Sequence, residues 1–146
     1  MLHSSAPPAL TAADRLYVTH APGSVSLARR WARRRVAQGW GVPDELADDV
    51  AIVVGELAGN VIEHVPRVVR GCAREFHVFL ELLAPEAVRV EVHDAADANE
   101  LCVRSPGVDD ERGRGLLLVR ALAKDWGVCP RAPFGKITWA RLGVDA

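Results

Sequence analysis

The most regular stretch of this sequence is PDELADDVAIVVGELAGNVIEH, residues 43–64. Its apolar residues recur at three- and four-residue spacing, which is the period of one face of an α-helix. These residues are Leu46, Val50, Val53, Val54, Leu57, Val61 and Ile62. Pro43 suits a first helical turn, and the acidic Asp44 and Glu45 complement the helix dipole there. Because Pro66 disfavours helix in the residue before it, the stretch predicts one long helix that ends close to this proline.

Strands are predicted before and after this helix in the sequence. Residues 75–83 and 87–92 alternate with period two, and the short gap between them makes a β-hairpin the expected connection. Shorter runs at 16–19, 126–128 and 136–142 predict a first strand and the two last strands. The chain is therefore expected to hold one sheet that is mostly antiparallel.

Two further helices complete the predicted architecture. Residues 25–38 carry helical spacing, with Ser24 as the expected N-cap. Residues 116–124 predict a helix preceded by glycines, whereas residues 95–110 have weak periodicity and predict a long loop, which in a compact domain is often a functional lid. The elements together predict an α+β two-layer sandwich, with helices on one face of a mostly antiparallel sheet.

Length, charge and cysteine content limit the classes of function. A chain of 146 residues suffices for one domain, expected over residues 14–146 after a flexible segment at 1–13. The net charge of -1 favours neither direct nucleic-acid binding nor a membrane surface. The apolar runs are too short for a membrane span, the N-terminus does not resemble a secretory signal, and the three cysteines form no CxxC pair. A cytoplasmic protein is the expectation.

The first candidate site is a polar stripe of the long helix. Glu56, Asn60 and His64 are each four residues apart and share one side of it. They lie among apolar residues, where a polar group without a partner is costly. Magnesium would satisfy them, since it takes oxygen ligands such as the Asn60 carbonyl and few protein groups beside substrate phosphates. Glu56 could then orient or deprotonate an attacking water or hydroxyl. The alternative is a polar helix edge exposed to solvent.

The second candidate is Asp94, which follows the strand face formed by Val88, Val90 and Val92. A carboxylate at the end of a strand can accept a hydrogen bond from an exocyclic amino group, such as that of adenine. Aspartate also starts turns, and from this residue alone the turn is the favoured interpretation.

The third candidate is the pair Gly113 and Gly115, ahead of the predicted last helix. Free backbone N–H groups at a helix start bind phosphate, and glycine lets a ligand approach the chain closely. Arg112 and Arg114 add positive charge beside them. The alternative is a loop–helix junction in which the glycines provide positive φ angles. It stays open because a GxG pattern alone is weak evidence.

Four segments, taken in order, resemble the Bergerat-fold ATPases, also called GHKL. They are ELAGNVIEH at 56–64, VHD at 92–94, ERGRGLLLV at 111–119 and GKITWA at 135–140. The branch that the chain is most similar to holds the anti-sigma-factor serine/threonine kinases and the small actinobacterial ATP-binding regulators related to them. The resemblance implies the Bergerat ATP-binding fold, with ATP and magnesium as ligands.

The resemblance also implies a role for each matching residue. Asn60 would bind magnesium, Glu56 would be the general base, and Asp94 would bind the adenine amino group with support from Thr138. The phosphates would lie at the start of the last predicted helix, under a loop lid. The residues there are Arg112, Gly113, Arg114, Gly115 and Leu116.

One position of the expected adenine pocket departs from the family pattern. Two residues after the aspartate the family usually has glycine, whereas this chain has Ala96, followed by Asp97. The methyl group narrows the expected pocket, and the second carboxylate adds negative charge near it. A lowered nucleotide affinity is the expectation.

Members of this branch bind a sigma factor and phosphorylate a serine or threonine on a STAS-type anti-anti-sigma protein, and many are homodimers. The resemblance therefore implies an ATP-dependent protein serine/threonine kinase of a partner-switching circuit, which regulates transcription without contacting nucleic acid itself. The alternative is a non-catalytic anti-sigma or partner-binding module with weakened or lost nucleotide binding. The catalytic half of a sensor histidine kinase is less favoured, because the sequence shows no separate helical dimerisation segment with a phosphoacceptor histidine.

Overall fold

The computed structural model describes residues 12–64, 68–69, 72–73, 75–95, 111–132 and 135–144. For the two short segments in this series and for residues 111–115, the description covers the backbone alone. The predicted lid from Ala96 onward lies outside the described residues, as does the N-terminal segment before Ala12.

The strands of the described residues form two sheets. They are β1 (Ala12–Thr19), β2 (Val68–Val69), β3 (Cys72–Ala73), β4 (Glu75–Ala84), β5 (Ala87–Asp94), β6 (Asp125–Pro130) and β7 (Lys136–Gly143). The main sheet has the order β1-β4-β5-β7-β6, and each of these pairings is antiparallel. The short β2 and β3 pair with each other, and the sequence pattern did not predict them. The predicted β4–β5 hairpin is confirmed.

Three α-helices of the described residues cover one face of the main sheet. They are α1 (Ser24–Arg34), which continues into a π-helical turn at Arg35–Gly39, α2 (Asp44–His64) and α3 (Glu111–Leu122). The central helix α2 packs against α1 and α3, and also against β5 and β7. The predicted two-layer α+β sandwich is confirmed, with the long helix where the sequence placed it. Among the described residues, no helix is both long and apolar enough to span a bilayer.

The core lies between the sheet and α2. The buried inward residues of the three central strands include Phe76, Val78, Leu80, Leu82, Val88, Val90, Val92, Ala140 and Leu142. The helix contributes Leu46, Val50, Val53, Val54, Leu57 and Val61. The strand period of two and the helix period of 3.6 each gather apolar side chains on one side. Their burial stabilises the two layers by roughly 25 cal/mol for each Å² of apolar surface removed from water.

Two boundaries near the start of the chain differ from the predicted ones. Ser24 is the first helical residue and not the N-cap, which is Gly23. The Ser24 hydroxyl instead donates a 2.6 Å hydrogen bond to the Thr19 carbonyl, because a buried hydroxyl needs a partner and the end of β1 supplies one. The first strand begins at Ala12 and pairs with β4 along its whole length. Ala12 and Ala13 therefore belong to the sheet, although they were predicted to be part of a flexible segment.

The outer face of the sheet carries a short row of interacting polar and charged side chains. Glu91 accepts hydrogen bonds from Arg89 Nε at 2.7 Å and from His93 Nε2 at 2.7 Å. The bond from His93 is the main cause that lowers the pKa of Glu91, and Arg89 adds to it while partial burial opposes it. The Arg89 guanidinium also lies 4.6 Å from the centroid of the Trp139 ring. The ionised form of Glu91 is therefore favoured in the folded chain.

We expect Glu91→Gln to lower the melting temperature near neutral pH, because it removes this favoured charge. The folded state lowers the pKa of Glu91 from its ordinary value of 4.5. Its stabilising contribution is therefore complete above that value and is lost as pH falls through the lower pKa of the folded state. Thermal melts of wild type and variant should converge in acid. Glu86→Gln, in the exposed β4–β5 turn, is the matched control, and a gap for Glu91→Gln that does not change with pH would contradict this role.

Candidate functional site

A buried ion pair lies at one end of the inner face of the sheet. Asp94, the last residue of β5, is opposite Lys136, the first residue of β7, in the antiparallel register. Lys136 Nζ lies 2.7 Å from Asp94 Oδ2, and the two side chains are 7% and 1% exposed. The contact is therefore a close ion pair between two buried groups. Each charge offsets the cost of burying the other.

Gly135 allows the start of β7 to approach the end of β5. Its φ angle of +100° lies in the region that favours glycine, and a Cβ atom there would overlap the carbonyl oxygen of Asp94. The Cα of Ala95 is also close to that position, at 3.1 Å. A glycine is therefore needed for the close approach that sets Lys136 against Asp94.

Thr138 is the next inward residue of β7 and is 8% exposed. It is opposite Val92, one inward step from Asp94. The structure thus brings the predicted residues Asp94 and Thr138 to the same end of the inner face. It also places Lys136 there, which the sequence analysis missed. The missed signal was the strand alternation, because the inward side chains of β7 run Lys136, Thr138, Ala140 and then Leu142.

The polar stripe of α2 lies on the helix that packs against β5 and β7. Glu56 and Asn60 are half-buried, and the His64 side chain is 9% exposed. The stripe is therefore neither part of the core nor a fully exposed edge. The His64 ring lies 3.6 Å from the Glu63 carboxylate.

The start of α3 differs from the prediction. The helix begins at Glu111, not at Leu116, so Gly113 and Gly115 lie inside its first two turns and not in a loop ahead of it. The first turns carry glycine and arginine without an apolar period, and this is why the pattern did not reveal them. The first four N–H groups of a helix have no partner within it. These groups include the N–H of Gly113 but not the N–H of Gly115. Phosphate binding by either residue remains a prediction.

Comparisons with known proteins agree with this architecture. Residues 18–142 match the family model described as a histidine kinase-like ATPase domain. The chain is also similar in structure to the histidine kinase domain of the blue-light activated histidine kinase from Erythrobacter litoralis EL346. That match has a TM-score of 0.54 and 17% identity, and it covers 82% of this chain and 60% of the other. At this identity the likeness concerns the fold, and the chain spans less than two thirds of that domain. No curated protein matches the sequence.

We expect Gly135→Ala to destabilise the protein by about 1–3 kcal/mol, the cost of a strained backbone position. The added methyl group would overlap the Asp94 carbonyl, and alanine rarely adopts a positive φ. Gly59→Ala is the matched control. It lies inside α2, and a Cβ atom there would come within 4 Å of none of the described residues outside its own stretch of helix, so the change should stabilise the chain by about 0.5–1 kcal/mol. Urea unfolding measures both, and a Gly135→Ala variant as stable as wild type would show that this approach is not tight.

Proposed function

The chain belongs to the histidine kinase-like ATPase domain family, and from that premise we propose that it is an ATP- and magnesium-binding regulator that acts as an anti-sigma-factor serine/threonine kinase. The observation that carries the proposal is the buried carboxylate of Asp94 at the end of an apolar inner face. Ligand sites are mostly apolar, with a few polar groups that fix orientation. An adenine ring, which is flat and carries an amino donor, suits such a surface.

Magnesium fits the donors that α2 presents. The ion takes oxygen ligands and few protein groups beside substrate phosphates. The half-buried Asn60 offers a carbonyl oxygen on the polar stripe of this helix. Asn60 would hold the ion, and the free N–H groups at the start of α3 would hold the phosphates. When bound, magnesium would neutralise phosphate charge during transfer.

Glu56 is the proposed general base. It lies one helical turn before Asn60 on the same stripe of α2, and it is only half-buried, so that the hydroxyl of a partner protein can approach it. The serine or threonine oxygen attacks the γ-phosphorus while the Glu56 carboxylate takes the hydroxyl proton. The bond from that phosphorus to the bridging oxygen breaks, and ADP leaves.

The proposed partners follow from the resemblance of the sequence to the anti-sigma branch. They are a sigma factor, which the chain would sequester in the cytoplasm, and a STAS-type anti-anti-sigma protein, which it would phosphorylate. A homodimer is the proposed working form. The alternative is a non-catalytic binding module, which is favoured by the departure from the family pattern at Ala96, where the family usually has glycine, and at Asp97. A measurement of nucleotide binding distinguishes the kinase from the nucleotide-free binding module.

Calorimetric titration of the full chain with ATP and magnesium should show saturable binding. Asn60→Ala and Asp94→Asn should each weaken it by about tenfold or more, as expected when a contact to a charged group is lost. Asp44→Asn, at the opposite end of α2, should bind ATP as wild type does. If wild type gave no heat and Asn60→Ala behaved identically, the nucleotide-free module would be favoured and the proposal rejected.

Glu56→Gln should still bind ATP but should transfer γ-phosphate to a STAS-type protein encoded beside this chain about 10²–10⁴-fold more slowly, which is the usual contribution of a general base. Labelled γ-phosphate on the acceptor measures the transfer. Glu63→Gln, at an exposed position two turns further along the same helix, should retain the wild-type rate. Equal rates for the two variants would remove the assignment of Glu56.

A further inference from the structure

We propose that the outer face of the sheet binds single-stranded nucleic acid through a group of side chains that we call the ring patch. The ring patch consists of Arg15, Tyr17, His77, Phe79 and His93, which lie on the outward side of β1, β4 and β5. The proposed ATP site lies on the inner face of the same sheet. The inference therefore goes beyond the proposed function and does not depend on it.

The first step is the strand register, which gathers the rings on one face. Tyr17 is opposite His77, and His77 is opposite His93, so these three side chains form a row across the strands. Arg15 is opposite Phe79 in the neighbouring outward row. The ring centroids of Tyr17 and His77 lie 4.2 Å apart, and those of His77 and His93 lie 6.3 Å apart. The rings therefore form one continuous surface.

The second step is that this surface is accessible in the described chain. The three helices of the described residues lie on the inner face, where alternate residues of β4 and β5 are buried. On the outer face Tyr17 is 58% exposed, and His77, Phe79 and His93 are half-buried. Contiguous apolar or aromatic surface of this kind marks an interaction site more often than single exposed side chains do.

The third step is the charge of the guanidinium group beside the rings. Arg15 is exposed and forms no ion pair with the described residues. It donates a 3.0 Å hydrogen bond to the Tyr17 hydroxyl, and its guanidinium lies 5.2 Å from the centroid of the Phe79 ring. The adjacent Glu91 carboxylate already accepts hydrogen bonds from two other side chains. The positive charge of Arg15 is therefore held among the rings and is available to an anion.

The charges around His77 show the same sign of the local potential. Burial is the main cause that lowers the pKa of His77. Positive charge on Arg131, His93 and Arg15 lowers it further, whereas Glu75 acts in the opposite direction. Neighbouring positive charge disfavours the protonated form of a histidine. Three cationic neighbours against one carboxylate make this end of the ring patch electropositive.

The combination of rings and positive charge favours single-stranded nucleic acid over other anions. Its bases stack on aromatic side chains, and its phosphates contact cations. A duplex keeps its bases paired inside the helix, and an acidic protein segment would use the charge but not the rings. The net charge of -1 describes the whole chain, whereas a ligand responds to the charge of the face on which it lies.

The test measures the fluorescence anisotropy of a labelled uridylate strand about ten nucleotides long, within the usual size of such sites. Arg15→Gln removes the charge, Tyr17→Ala removes the most exposed ring, and Tyr17→Phe keeps the ring. The matched controls lie on α1, in the helical layer. Arg30→Gln makes the same change in another exposed arginine, and Leu27→Ala truncates an apolar side chain that is 48% exposed.

Wild type should bind the strand at low salt, and the affinity should fall as salt is added. Tyr17→Ala should weaken binding about tenfold, the effect of losing one stacked base, and Tyr17→Phe should keep most of the affinity. Arg15→Gln should also reduce the slope of log affinity against log salt by about 0.7, because one phosphate contact is lost. Both controls should bind as wild type does, and circular dichroism confirms the folding of each variant.

Four results would overturn the inference. One is a wild type that does not bind the strand at low salt, and another is a folded Tyr17→Ala that binds it as the controls do. The third is equally tight binding of an abasic strand or of polyglutamate, which would assign the ring patch to an acidic protein partner. The fourth is a wild-type dimer that Tyr17→Ala dissociates, because a second copy of the chain would then cover the rings.

Magnesium–ATP is the last control, because it separates the two proposed sites. An excess of it should not displace the strand from wild type, since the ring patch and the proposed ATP site lie on opposite faces of the sheet. Displacement would place the strand in the nucleotide site and overturn the inference. The ATP titration of the proposed function uses no strand, so its outcome is independent of this test.

Discussion

The burial of one apolar side of α2 against the inner face of the sheet is the interaction on which the other features of this fold depend. Neither surface can remain in water alone, because each gathers its apolar residues on one side. Packing α2 on β5 and β7 places the helix above the two strands whose ends carry the polar residues of the site. The other two helices lie beside α2, and the outer face of the sheet is left for charged and aromatic groups.

The candidate site lies where this apolar contact gives way to polar groups. The inward residues of β5 are apolar until its last residue, Asp94. On β7 the first two inward residues, Lys136 and Thr138, are polar, and the following ones are apolar. Charges are costly at such depth, so they are present as a pair. The proposed adenine site rests on this apolar surface that ends in one carboxylate. In the same proposal, the half-buried stripe of α2 would supply the oxygen atoms for the opposite end of the nucleotide.

Features that depend on neighbouring residues could be predicted from the sequence, whereas a feature that depends on a contact with another element could not. The bounds of α2 and the β4–β5 hairpin were predicted well, because each rests on a pattern repeated over many neighbouring residues. The N-cap at Ser24 was wrong because the hydroxyl found its acceptor at Thr19, in a preceding strand. The start of α3 was missed because its first turns lack an apolar period. The roles of Glu56 and Asn60 were inferred from the polar stripe of the helix and from the family resemblance, and they remain predictions.

The local patterns of the chain were enough to establish the five strands of the main sheet, the three helices without all of their bounds, and that Asp94 continues an inward strand face. A strand alternates its side chains strictly, so the inward or outward position of a residue follows from its neighbours alone. The pairing of Asp94 with Lys136 depends instead on the register between two strands that are distant in sequence. That register requires the backbone of Gly135 to lie against the carbonyl of Asp94, a contact that exists only once the helices and the sheet have packed together.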